Sequence, residues 1–162
     1  MVAGGIRAGR NTALANVLVE FTMSQSLEPI NTVLGIIKGR DAIFLDDVIF
    51  EYDKNRIELR GELVSNHCTN SKDVDSYIGY SLTFDGLIGF TMIELDLSDD
   101  VFRTSSFNRV VNSLWIDEMR LRDHSAKVKP NLEHFFVATY DDVFNIACET
   151  FELEILTTRK AK

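Results

Sequence analysis

Along this chain the apolar and polar positions alternate more often than they follow a helical cycle. Over "VIFEYDKNRIELRGEL" (48–63), Val48, Phe50 and Tyr52 alternate with Ile49, Glu51 and Asp53. Ile57, Leu59, Gly61 and Leu63 then alternate with Glu58, Arg60 and Glu62. A period of two puts one set on a buried sheet face and the other in water. The intervening "DKN" has turn chemistry, because Asp and Asn tolerate left-handed backbone and hydrogen-bond locally. The stretch predicts a β-hairpin with one wet face. "YIGYSLTF" and "LIGFTMIELDL" flank Asp85-Gly86 and predict a second hairpin around that turn dipeptide. Ala15 to Met23, "FNRVV" (107–111) and "EHFFVA" (133–138) predict further strands. So does "ETFELEI" (149–155), where Phe151, Leu153 and Ile155 alternate with Glu152 and Glu154.

Three segments predict short helices. "SLEPINTVLGIIKG" (26–39) has Pro29 in a first turn and Gly39 as a C-terminal cap, with Gly35 weakening it by about 1 kcal/mol. "NSLWIDEMRLRD" (112–123) is opened by Asn112 or Ser113 and carries Glu118 and Arg122 as an i,i+4 pair. "TYDDVFNIAC" (139–148) has Thr139 and Asp142 in capping-box spacing, with Asp141 and Asp142 at the positive end of a helix dipole. The expected fold is α+β: a mostly antiparallel sheet with about three short helices. A chain of 162 residues fits one domain. We place that domain at 11–157, after a flexible lead-in (1–10) and before a frayed basic tail (158–162).

Charge narrows the partners. Twenty-five acidic against 17 basic side chains give a net charge of −8. That disfavours nucleic acid and anionic lipid, which need a basic surface, and suits either a simply solvated surface or attraction to a basic protein partner. Acids gather at Asp46, Asp47, Glu51 and Asp53, at Asp96, Asp99 and Asp100, and at Glu149, Glu152 and Glu154. If the outward faces of these strands adjoin, they form one acidic sheet face. Glu51, Asp53, Glu152 and Glu154 are therefore the candidate protein-binding residues, with Trp115 and Tyr140 as possible anchors that also suit a core. Two arginines precede an apolar N-terminal stretch, but Asn16 and Glu20 interrupt it, so a leader peptide is not expected. With no apolar run near 18 residues and two distant cysteines, Cys68 and Cys148, the expectation is a cytoplasmic protein with reduced thiols.

No catalytic, cofactor or metal residues are assigned. "YDD" (140–142) as a metal site would need a tight hairpin, a third carboxylate on another strand and a basic template cleft. His67, Cys68, His124, His134 and Cys148 share no zinc spacing. A Cys–His dyad of Cys68 or Cys148 with His134 has unspecific spacing. "DLSDDVF" (96–102) lacks the glycine and glutamate of a calcium loop.

The segment "VVNSLWIDEMRLRDHS…HFFVATYDDVFNIACETFELEI", roughly 110–155 and under a third of the chain, resembles the C-terminal part of small, mostly uncharacterised bacterial proteins. In these a serine-tryptophan helix precedes a "HF…(T/Y)DD" element and a final acidic strand. Some are similar to immunity proteins of polymorphic toxin systems. The resemblance implies a binding protein and carries no catalytic motif. The expected function is a non-catalytic, immunity-like protein-binding domain whose acidic surface meets a basic partner. The alternatives are a ligand-binding or enzymatic domain with a pocket of scattered residues, and a homo-oligomer joined through its final strand.

Overall fold

A computed structural model describes residues 24–72, 75–98 and 105–160, the last four as backbone only. The expected strand at 15–23, the lead-in at 1–10, and Asp99 and Asp100 lie outside the described residues. The hairpin at 48–63 forms as its alternation requires. Strand β2 (Ile43–Glu51) pairs antiparallel with β3 (Arg56–Val64), and Asn55 takes the left-handed turn conformation at φ 49.

The remaining strands are β1 (Ser26–Pro29), β4 (Ser76–Asp85), β5 (Gly89–Glu94), β6 (Phe107–Val111), β7 (Glu133–Ala138), β8 (Asp142–Cys148) and β9 (Thr150–Lys160). They form a five-stranded sheet, β1-β6-β7-β8-β5, and a four-stranded sheet, β2-β3-β4-β9, with every pairing antiparallel. The inner faces meet in one core. Ile57, Leu59, Leu63, Ile78, Tyr80, Leu82 and Phe84 of one sheet pack on Phe107, Phe135, Val137, Phe144, Ile146 and Cys148 of the other. Phe84, Phe107, Phe135 and Phe151 contact one another edge-on or tilted, with centroids 5.0 to 6.4 Å apart. Such pairs add about 0.5–1.5 kcal/mol each beyond the burial of their area.

This two-sheet sandwich replaces the expected single sheet with three helices. Among the described residues one α-helix stands, α1 (Leu114–Arg122). It begins at Ser113 as expected, whose hydroxyl accepts the Ile116 N–H, and the Glu118–Arg122 pair forms. The helix lies on the outer face of the five-stranded sheet, where Ile116 and Leu132 pack on Ala147.

The segment 139–148 is not a helix. Thr139 and Asp142 close the turn of a β7–β8 hairpin, and 142–148 is strand β8. The spacing misled because β8 is covered on both faces, with Asn145 the one polar residue between Val143 and Cys148. Phe144, Ile146 and Cys148 enter the sandwich core, while Val143 and Ala147 are buried on the outer side by the Leu95 cluster and by α1. A strand buried twice reads as a continuous apolar run that periodicity cannot tell from a helix. The Thr139 hydrogen bond survives in this setting. Its Oγ1 accepts the Asp142 N–H and donates to the Asp142 carbonyl, both at 3.0 Å. Thr139 is buried, so Thr139→Ala leaves an amide without its partner. Chemical denaturation should show a loss of about 1–2 kcal/mol.

The segment 26–39 is also not a helix. After β1 its amides turn to a neighbouring loop: Ile36 donates to Thr69 Oγ1 and Lys38 to the His67 carbonyl, both at 2.8 Å. Gly35 and Gly39 hold φ of 80° and 107°, which a helix excludes.

Asp85-Gly86 turns the chain between sheets instead of closing a hairpin. β4 pairs with β3 and β9, whereas β5 pairs with β8. The β8-to-β9 connection crosses at the same end, where Glu149 N–H donates to the Asp85 carbonyl at 3.0 Å. Strand β9 continues through Lys160, pairing where a frayed tail was expected.

Candidate functional site

Strand β2 is an edge strand with an inserted residue. Its register against β3 shifts between Leu45 and Asp47, so Asp46 bulges out of the ladder. Before the bulge Ile43 and Leu45 oppose Leu63 and Gly61; after it Val48 and Phe50 oppose Leu59 and Ile57. The insertion resets the alternation. Without it Asp47, Ile49 and Glu51 would face the core, and with it they face outward.

The outer face of the four-stranded sheet is consequently acidic. Asp47 and Glu51 of β2, Glu58 and Glu62 of β3, and Glu152 and Glu154 of β9 share it by register. Among the described side chains of this face the cations are Arg56 and Arg60, opposite Glu51 and Asp47, and Lys54 of the β2–β3 turn reaches Glu51 at 2.5 Å. Arg56 binds Asp85 at 2.6 Å and lies 3.9 Å from Glu51, and Arg60 binds Glu58 at 2.6 Å. Hydrogen bonds from Arg60 and from the Ser81 hydroxyl hold the Glu58 carboxyl below its usual range. The structure therefore puts Glu51, Glu152 and Glu154 on one face. Glu51 is on its first strand and the other two on its fourth, about 14 Å apart at three strand spacings. Asp53 lies apart from them, in the β2–β3 turn.

The inner face of β2 carries a feature the sequence reading took for core. Val48 is 40% and Phe50 50% exposed, although their β3 partners Leu59 and Ile57 are fully buried. On the opposite sheet edge strand β5 repeats the situation. Phe90 and Met92 oppose Ile146 and Phe144, so they point into the sandwich, yet they are 36% and 51% exposed. Phe50 and Phe90 touch, with centroids 5.7 Å apart, and Tyr52 meets Phe50 edge-on at 6.2 Å. The sandwich is thus open along the seam between β2 and β5. Core-facing apolar side chains line that mouth, and the acidic face begins on the same strand. The signal for this in the sequence is the alternation of Val48 with Phe50 and of Phe90 with Met92. It gives which face they take, not whether that face is closed.

No family model, curated protein or solved structure matches this chain.

A second polar locus lies under α1. His134, on the outer face of β7, is buried. Its Nδ1 meets Ser113 Oγ at 2.8 Å, its Nε2 meets Asn145 Oδ1 at 3.1 Å, and the Trp115 ring stands edge-on at 5.1 Å. Ser113 Oγ already accepts the Ile116 N–H at 3.2 Å. The Asn145 amide oxygen can only accept, so Nε2 carries the proton of the neutral ring and donates to it, and Nδ1 accepts from the Ser113 hydroxyl. Both ring nitrogens are engaged and the network ties α1 to β7 and β8. Two clefts of about 280 and 400 Å³ border it. Burial pushes the imidazole pKa down, against the smaller opposing effect of the Asn145 bond. The native state thus refuses a proton that the unfolded chain accepts near its ordinary value of about 6.5. Stability should be flat above that pH and fall as pH drops through it, and His134→Gln should remove this part of the slope. Denaturation midpoints between pH 5 and 8 check it.

Cys68 and Cys148 are free and buried, and burial pushes their thiols up to about 11 and about 12. Cys148 points into the sandwich while His134 lies on the opposite face, so that pair makes no dyad. Trp115 is half-buried in the first turn of α1, and Tyr140 stacks on Phe44 at 5.1 Å. "YDD" does sit in a tight hairpin, and Glu94 of β5 lies opposite Asp142. Burial and the neighbouring Asp141 raise the Asp142 carboxyl. Among the described residues no group of three or more His, Cys, Asp and Glu is placed to hold a metal ion. No helix among them is long and apolar enough to cross a membrane.

Proposed function

We propose that this protein is a non-catalytic, immunity-like binding domain that takes a basic protein partner at the β2 edge. The observation that carries this reading is the open mouth of Val48, Phe50, Phe90 and Met92 beside the acidic face of Asp47, Glu51 and Glu58. Protein interfaces combine an apolar centre with a polar rim, and aromatic anchors supply most of their affinity. The acidic face adds attraction for a positive surface and excludes negative ones. The resemblance of residues 110–155 to small, mostly uncharacterised bacterial proteins, some of them similar to immunity proteins, favours the same class of function.

Affinity capture from the source organism tests the proposal. The wild-type chain should retain a basic protein in stoichiometric amount and release it as salt rises. A chain carrying Glu51→Lys, Glu152→Lys and Glu154→Lys should bind that protein about tenfold or more weakly, with a flatter salt dependence. Capture of no partner at micromolar concentration, or equal affinity of the charge-reversed chain, contradicts it.

A further inference from the structure

We infer that the partner enters as an extended strand that pairs with the free edge of β2 between Asp47 and Glu51, with apolar side chains inward and lysine or arginine outward. This deepens, and rests on, the binding function proposed above. Among the described residues β2 pairs only with β3; the Ile43 carbonyl at its start accepts the Tyr140 N–H at 2.8 Å, and from Asp47 to Glu51 no strand covers the other edge. Such an edge is a template for another chain unless it is blunted by proline, lysine, a bulge or charge. "IFLDDVIFE" contains neither proline nor lysine, and its bulge at Asp46 guards only the first half.

The second half carries two carboxylates and no cation of its own, though each lies opposite an arginine of β3 and Glu51 is also bound by Lys54 at 2.5 Å. Asp47 and Glu51 project outward at either end of it, with Ile49 between. Two copies of this edge would bring carboxylates against carboxylates, which opposes pairing. A strand with basic residues at those outward positions meets the opposite sign. Its alternate side chains then lie beside Val48 and Phe50, at the mouth where Phe90 and Met92 are open. The free edge of β5 is the lesser template, because Thr91 and Ile93 occupy its outer face and Glu94 only its end. Charge and open apolar surface therefore select β2, and they select an alternating basic–apolar strand over a second copy of the chain.

Fluorescence anisotropy with labelled octapeptides tests this on the full chain. The probe alternates lysine with valine. The controls have the same composition in two blocks, glutamate in place of lysine, and the alternating sequence with N-methylated backbone amides. The alternating lysine peptide should bind at least tenfold tighter than each control, and hydrogen exchange of the amides from Asp47 to Glu51 should slow when it binds. Failure of that peptide to bind, or equal binding of the block or N-methylated peptide, overturns strand pairing while leaving a basic partner in place. Equal binding of the glutamate peptide overturns the basic-partner reading as well. Phe50→Ser, checked for folding by circular dichroism, should lower the affinity of the alternating peptide at least fivefold; unchanged affinity also overturns the inference.

Discussion

Replacing Phe50 with aspartate is expected to abolish partner capture while leaving the fold in place. The ring is half exposed on an edge strand and contacts Phe90 and Tyr52. Its removal from the free protein forfeits a partial aromatic contact of about 1 kcal/mol, which a two-sheet core tolerates. In the complex the same ring would be covered by the partner. Losing a central aromatic anchor typically costs about 2 kcal/mol or more, a factor of about thirty in affinity, and a new carboxylate buried without a partner adds to that. The two effects separate cleanly. Phe50→Asp should keep its cooperative unfolding transition and lose binding, measured by calorimetric titration against the captured protein. An intact affinity would move the site away from the seam.

Gly61→Ala should have the largest effect on stability. Gly61 sits opposite the β2 bulge, and a methyl group there would lie 2.0 Å from the Phe44 carbonyl oxygen and 2.9 Å from its carbon. Both atoms belong to backbone that cannot swing aside as a side chain can. Relief requires β2 to move away from β3 or the bulge to flatten. Forced overpacking of this kind costs about 1–3 kcal/mol and sometimes more. We expect about 3 kcal/mol, or roughly 6–12 °C in melting temperature for a chain of this size. The consequence reaches function, because the bulge is what sends Val48 and Phe50 inward and Asp47 and Glu51 outward. A flattened bulge exchanges those faces, so Gly61→Ala should also weaken partner binding. A stability within about 0.5 kcal/mol of wild type would show that the bulge is not held by this contact.

The elements that were legible in the sequence are those with one wet face. The β2–β3 hairpin, the outward glutamates of β9 and the capped helix α1 follow from alternation and from Ser113. Strand β8 was not legible, because its two covered faces erase the period of two. Asp85-Gly86 looked like a hairpin because a local turn signal does not say which strand the chain joins next. That depends on where β8 and β9 cross, which is a long-range matter. The helix expected at 26–39 gave way to hydrogen bonds with a loop about thirty residues away, at His67 and Thr69.

The candidate site divides in the same manner. Glu51, Glu152 and Glu154 could be placed outward from their own strands, and the structure adds that those strands share a sheet. The alternation of Val48 and Phe50 puts them on the buried face of their hairpin, and for Phe90 and Met92 the pattern predicts a strand without a face. Their exposure comes from both sheets ending at the same side, β2 in one and β5 in the other. No local pattern encodes that coincidence. It makes the seam a place where an interface would complete an unfinished core.

Hydrogen exchange of the protein alone and in complex with its captured partner tests this account most directly. Binding at the β2 edge predicts that amides of Asp47–Glu51 slow at least tenfold, with smaller protection in Gly89–Glu94 across the seam. Protection confined to α1 and the His134 clefts, with β2 exchanging as in the free protein, would contradict it.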